Sequence, residues 1–122
     1  MNELRDQIKE IIDTEDVVLF MKGTPQFAMC GNSVRALEAL RAAGAPVVAV
    51  DVLPDPEIRQ ELSAISSWPT IPQVFVRGEL IGGADIVEEL ASNGELVAKL
   101  DEALGVERTQ TVKTVPLELS AV

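Results

Sequence analysis

Cys30 is the residue best placed to do chemistry, and it is the one cysteine among 122 residues. It lies between an apolar run at residues 17–21 and a helical pattern that begins near Val34. Unpaired backbone N–H groups and the helix dipole favour an anion at the start of a helix. The thiol is therefore expected to ionise below the value of about 8.5 for a free cysteine, which predicts a nucleophile or a soft metal ligand.

Two polar residues near Cys30 strengthen this hypothesis. Lys22 ends the same apolar run, where its charge would favour the thiolate and offer a partner to a ligand carboxylate. Ser33 is placed to donate a hydrogen bond to the sulfur. The alternatives are that Cys30 is a small apolar filler of the core, that Lys22 is simply solvated, and that Arg59 is an ordinary surface charge.

Two further segments predict a groove for an extended ligand. Pro72 cannot donate to a strand ladder, so the backbone of Ile71 is expected to stay free for a peptide-like ligand. The small residues of Gly82-Gly83-Ala84 allow close backbone approach at a helix start, with Asp85 beside them. Such N–H groups and a carboxylate would hold a zwitterionic peptide end. The alternatives are a strand-to-helix turn at this segment and a loop anchor at Trp68.

Composition excludes several classes of function. Twenty acidic against ten basic residues give a net charge of -10, which disfavours nucleic acids and anionic membranes as partners. One cysteine and no histidine permit neither an internal disulfide nor a zinc cage, so a soft metal site needs ligands from outside the chain. The free thiol, the absence of an apolar leader and the absence of a membrane-length apolar run predict a cytoplasmic protein.

The periodicity of apolar residues predicts the elements that position these residues. Helices are predicted at residues 2–13, 34–44, 54–66, 84–90 and 95–104, and strands at residues 17–21, 47–50, 73–76 and 79–81. The first two strands and the helix between them form a right-handed parallel βαβ unit, and the last two form a hairpin around Arg77-Gly78.

This order predicts an α/β domain with a thioredoxin-like fold, in which about five helices flank a four-stranded mixed sheet. The domain is predicted at residues 1–105. Residues 106–122 contain β-branched residues in loose alternation without a convincing partner element. They are treated as a C-terminal extension of uncertain order.

Four motifs in this order resemble the monothiol glutaredoxin family over roughly residues 3–104. They are Met21-Lys22-Gly23-Thr24-Pro25, Cys30-Gly31-Asn32-Ser33, Trp68-Pro69-Thr70-Ile71-Pro72-Gln73 and Gly82-Gly83-Ala84-Asp85. The resemblance, which is to members like the bacterial glutaredoxin 4, implies that Cys30 is the reactive thiol and that Pro72 follows a cis peptide bond. It also implies a glutathione site: Lys22 and Arg59 at the glycine carboxylate, the Ile71 backbone, and Ala84 and Asp85 at the γ-glutamyl end.

The resemblance implies an iron–sulfur function as well. In this family a 2Fe-2S cluster is commonly bridged by two protomers, each giving one cysteine and one glutathione thiolate, and is passed to recipient proteins; a BolA-like partner is a further expectation. Cys30 would be the metal ligand. Asn32 replaces the family's usual phenylalanine, which predicts a more labile cluster, and Ala28 replaces a usual proline.

Two other functions remain open at this point. One is a glutathione-dependent oxidoreductase that removes glutathione from mixed disulfides, with a second glutathione resolving the intermediate. Gly31, where efficient dithiol reductases of the family carry proline, favours the cluster carrier over this enzyme. The other is a thioredoxin-like scaffold whose cysteine is redox-silent.

Overall fold

The computed structural model describes residues 3–119. The helices are α1 (Glu3–Thr14), α2 (Gly31–Ala42), α3 (Pro56–Ser66), α4 (Ala84–Ser92) and α5 (Glu95–Leu104). The strands are β1 (Val17–Met21), β2 (Val47–Asp51), β3 (Gln73–Val76), β4 (Glu79–Gly82) and β5 (Val112–Thr114). No helix within these residues is long and apolar enough to cross a bilayer.

The sheet has the order β4-β3-β1-β2-β5. Strand β1 pairs parallel with β2 and antiparallel with β3, and β3 and β4 form the hairpin. This is the mixed α/β, thioredoxin-like arrangement predicted from the sequence. Because β1 and β2 run in the same direction, their carboxyl ends and the start of α2 meet at one edge of the sheet, where Cys30 lies.

Strand β1 is the centre of two cores, one on each face of the sheet. Val17, Leu19 and Met21 pack with α2, α4 and α5, whereas Val18 and Phe20 pack with α1 and α3. All five β1 side chains are buried, as the unbroken apolar run predicts. The loop that carries Cys30 thus follows the most deeply covered strand of the described fold.

Two helix starts differ from the sequence prediction. Helix α2 begins at Gly31, three residues before Val34, because Cys30 adopts an extended conformation (φ −152°) and acts as the N-cap residue. Helix α3 begins at Pro56, two residues after the predicted Pro54, because Asp55 is its N-cap: the Asp55 carboxylate accepts a hydrogen bond from the Glu57 N–H at 2.9 Å. The first difference matters for function because it places Cys30 directly at the helix terminus.

The number of strands in the sheet also differs, since the sequence predicts four and the structure has five. Strand β5, in the C-terminal extension, pairs parallel with the outer edge of β2. The Val47 N–H donates to the Thr111 carbonyl at 2.6 Å, and the Val115 N–H donates to the Ala49 carbonyl at 3.0 Å. A run of only three residues with two exposed side chains carries too weak a period to predict a strand.

The rest of the extension crosses the edge of the sheet from one core to the other. Arg108 donates to the Ala43 carbonyl at 2.8 Å, and Leu117 packs against the α1/α3 core. Gln7 and Glu118 exchange two hydrogen bonds of 2.8 Å between side chain and backbone. The end of the domain at residue 105 stays a prediction. The extension that follows contacts the domain as far as Glu118.

Candidate functional site

The loop between β1 and α2 positions Cys30 through a tight backbone turn. Thr24 and Phe27 hydrogen-bond to each other through their backbones, and the Met29 N–H donates to the Lys22 carbonyl at 2.9 Å. Gly23 lies in this turn with φ +93°, and a Cβ there would be 2.3 Å from the Phe27 carbonyl oxygen. The turn therefore requires glycine at position 23.

A test of this loop is the stability of Gly23→Ala. Because the substitution forces a side chain into backbone and a left-handed conformation, we expect the free energy of unfolding to fall by about 2–4 kcal/mol. Gly31→Ala is the matched control, since an added Cβ there meets nothing within 4 Å. Urea denaturation of both variants measures the difference, and equal midpoints would contradict the steric argument.

The electrostatic setting of Cys30 favours the thiolate. The backbone N–H of Ser33 is the main cause that lowers the pKa of the thiol below its ordinary value. Partial burial opposes this, while the Asn32 N–H, the Ser33 hydroxyl and the Lys22 charge act in the same direction as the Ser33 N–H. The direction agrees with the sequence prediction, and Lys22 contributes least.

The rate of Cys30 alkylation by iodoacetamide should report this pKa. Since the thiolate is the reacting species, a lowered pKa moves the inflection of the rate to lower pH than for a free cysteine. Ser33→Ala removes one donor to the sulfur, so the pKa rises and the inflection moves to higher pH. Ser92→Ala, whose hydroxyl donates to Glu89 at the end of α4, should leave it unchanged. An unshifted inflection in Ser33→Ala would exclude the hydroxyl as a cause.

A groove lies beside the start of α2, and we call it the cis-proline groove. Its volume is about 380 Å³ and its walls come from α2, the loop before β3 and the start of α4. The lining residues are Asn32, Trp68, Thr70, Ile71, Pro72, Gly83, Ala84, Asp85 and Ile86. The peptide bond between Ile71 and Pro72 is cis, as the family resemblance implies.

Close backbone packing and the end of the β3 ladder shape the cis-proline groove. A Cβ on Gly83 would be 3.3 Å from the Pro72 carbonyl oxygen and 3.5 Å from Trp68 Nε1, so a small residue allows α4 to begin close to the loop. The pairing of β3 with β1 ends at Gln73, so Ile71 lies beyond the ladder. Gln73 is buried and donates to the Trp68 and Thr70 carbonyls at 2.9 and 3.2 Å, which fixes the loop.

The structure brings together some of the sequence-predicted site residues and separates others. Ile71, Ala84 and Asp85 line the cis-proline groove. Lys22 is near enough to act on the Cys30 thiol but does not line the groove. Arg59 is exposed and donates to the Pro69 carbonyl at 3.2 Å, on the loop that leads into the groove.

Two residues of the site were missed by sequence reasoning. The Asp51 carboxylate accepts from the Gly23 N–H and the Leu53 N–H, both at 2.9 Å, and so joins the loops that follow β1 and β2. Arg35 donates to Asn32 Oδ1 at 2.9 Å and to Asp85 Oδ1 at 2.8 Å. The sequence indicates only the contact between Arg35 and Asn32, because residues three apart lie on one face of a helix.

The donor atoms near Cys30 limit what the chain can bind. Among residues 3–119 no group of three or more histidine, cysteine, aspartate or glutamate side chains is placed to hold a metal ion. The thiol is partly exposed, and the neighbouring Phe27 and Met29 are 79% and 70% exposed. The site therefore offers one partly exposed sulfur close in sequence to two exposed apolar side chains.

Comparison with known proteins agrees with this geometry. A family model described as Glutaredoxin matches residues 17–81. The chain is 47% identical over 100 residues to Glutaredoxin 4 of Haemophilus ducreyi. The aligned region covers 82% of this chain and 94% of that protein. The chain belongs to the monothiol glutaredoxin family. This confirms the resemblance drawn from the four motifs.

Other glutaredoxins show how far the similarity extends. Monothiol glutaredoxin-S11 of Oryza sativa is 48% identical over 99 residues, and the chain spans only 20% of that longer protein. The solution structure of reduced poplar apo GrxS14 has 39% sequence identity and a TM-score of 0.74, covering 83% of this chain and 93% of that one. The glutaredoxin fold is therefore confirmed.

Proposed function

We propose that this glutaredoxin binds glutathione in the cis-proline groove and, as a glutathione-ligated homodimer, carries a 2Fe-2S cluster for transfer to recipient proteins or for iron homeostasis. The observation that carries the proposal is the position of Cys30. It is a single accessible thiol with a lowered pKa at the start of α2, and Asn32, two residues further on, lines the groove.

Glutathione fits the chemistry of the groove. Ile71 would pair with the peptide backbone of the ligand, and the α4 start at Ala84 would bind the γ-glutamyl carboxylate. Asp85 would bind the γ-glutamyl ammonium group. Lys22 and Arg59 would bind the glycine carboxylate from outside the groove, which is consistent with their absence from its lining.

The cluster is supported by the number of sulfur donors. A 2Fe-2S cluster takes four ligands, and this chain has one cysteine and no histidine. Two protomers and two glutathione molecules would supply four thiolates, with Cys30 as the ligand from each protomer. The exposed Phe27 and Met29 would shield such a shared cluster from water. A BolA-like protein could take the place of one protomer, and the reducing cytoplasm would keep the thiols free.

The alternative is a glutathione-dependent oxidoreductase, which the lowered pKa of Cys30 also favours. The Cys30 thiolate would attack the glutathione sulfur of a mixed disulfide, forming a Cys30–glutathione disulfide and releasing the substrate thiolate. A second glutathione thiolate would then attack the glutathione sulfur of that intermediate, giving oxidised glutathione and regenerating Cys30.

Anaerobic reconstitution distinguishes the two functions. Reduced protein is incubated with iron, sulfide and glutathione, and its absorption spectrum and mass in solution are measured. A brown dimer that forms only when glutathione is present supports the carrier. A colourless monomer with rapid glutathione-dependent release of a mixed disulfide supports the oxidoreductase. Failure to bind glutathione at all would overturn both.

A further inference from the structure

Arg35 links the two walls of the cis-proline groove. From α2 its guanidinium donates to Asn32 Oδ1 at 2.9 Å and to Asp85 Oδ1 at 2.8 Å, and it also pairs with Glu88 on α4. Asn32 and Asp85 both line the groove, whereas Arg35 lies behind them in the cleft between α2 and α4. The guanidinium is thus in direct contact with the carboxylate proposed to bind the ligand's ammonium group.

The pairing changes the charge that a ligand meets at Asp85. The Asp85 side chain is 90% exposed and lines the groove, but its negative charge is partly balanced by the guanidinium 2.8 Å away, which also pairs with Glu88. An ammonium group that approaches Asp85 also approaches Arg35 and is repelled by it. A ligand without the ammonium group avoids this repulsion.

We propose that Arg35 is a specificity-determining residue that acts through Asp85 and reduces the preference of the groove for a γ-glutamyl α-ammonium group. The inference rests on the proposed binding of glutathione. It predicts that this glutaredoxin also accepts thiol peptides or thiol acids whose terminal amine is absent or acylated. Removing Arg35 should restore a stricter requirement for the amine.

The test compares two ligands, glutathione and glutaryl-cysteinylglycine, which is glutathione without its α-amino group. Calorimetry on the reduced protein gives a Kd for each ligand. The Kd of the analogue divided by the Kd of glutathione measures how strongly the groove prefers the ligand with the amino group. Arg35→Gln is expected to raise this ratio about twofold to fivefold, the range of an exposed ion pair. Arg35→Lys keeps the charge and should leave the ratio near that of the unchanged protein.

Two controls separate this mechanism from a general charge effect or a structural one. The analogue carries one more net negative charge than glutathione, so loss of any cation shifts the ratio through the long-range field. Arg77→Gln removes the same charge at the hairpin turn, at the opposite end of the sheet, and measures that contribution. In an Asp85→Asn background, Arg35→Gln should change the ratio by no more than Arg77→Gln does, because the residue through which Arg35 acts is gone.

The outcomes are separable from those for the proposed function. If glutathione binds and the ratio is the same in the unchanged protein, Arg35→Gln and Arg77→Gln, the inference is overturned while the proposed function stands. If neither ligand binds the unchanged protein, the proposed function fails and the inference fails with it. A rise in Arg35→Gln that exceeds the rise in Arg77→Gln, and that falls to the level of Arg77→Gln in the Asp85→Asn background, supports the inference.

Discussion

Replacing Cys30 with serine is expected to eliminate thiol alkylation and cluster assembly together while glutathione still binds. A serine hydroxyl has no thiolate form near neutral pH, and the chain contains no other cysteine. We expect iodoacetamide incorporation to fall below detection, which is a decrease of at least about 10³-fold. Reconstitution with iron, sulfide and glutathione should give no brown colour.

Three measurements make the Cys30→Ser result specific. The thiol is partly exposed and outside both cores, so the melting temperature should stay within a few degrees of that of the unchanged protein. Calorimetric titration should still show glutathione binding, since the lining of the cis-proline groove does not include Cys30. A variant that keeps its colour after reconstitution would show that the cluster ligand lies elsewhere.

Removing the C-terminal extension after Gly105 is expected to produce a large loss of stability. The truncation uncovers the β2 edge, removes the contacts of Arg108 and Leu117, and breaks the Gln7–Glu118 hydrogen bonds. At about 0.5–1.5 kcal/mol for each hydrogen bond, offset by the entropy regained, the free energy of unfolding should fall by about 2–4 kcal/mol. Urea denaturation monitored by circular dichroism measures this change.

Gln7→Ala provides a graded control for the truncation. It removes only the two hydrogen bonds to Glu118, so its cost should be about 1 kcal/mol and clearly less than that of the truncation. The pH profile of Cys30 alkylation should stay unchanged in both variants, because the groups that lower the thiol's pKa lie in α2 and at the end of β1. A truncated protein as stable as Gln7→Ala would show that β5 adds nothing to the fold.

The sequence was sufficient to predict the elements whose apolar residues form an unbroken run or a regular helical spacing. The buried run of β1 and the spaced apolar residues of α1 and α3 have few structural alternatives, so the βαβ unit and the hairpin are confirmed. Strand β5 was missed because its pairing depends on the open β2 edge, which is distant in sequence, and not on its own residues. Propensity and periodicity carry no information about such an edge.

The candidate site was predictable only in part, for a related reason. Cys30, Ile71, Ala84 and Asp85 are recognisable because each lies at the end of an element that its neighbours define. Arg35 could not be assigned, since its contact with Asp85 joins residues 50 positions apart in the sequence. Side-chain ion pairs between elements appear only once the packing of α2 against α4 is known.

The Asp51 carboxylate connects two loops at the edge of the sheet where Cys30 lies. One oxygen accepts two amides, one from the loop that carries Lys22 and one from the connection that leads to α3 and Arg59. The segments that lead to Lys22 and to Arg59, the two cations proposed to share a single ligand carboxylate, are therefore held by the same atom. The relative position of the two loops is thus fixed by one side chain.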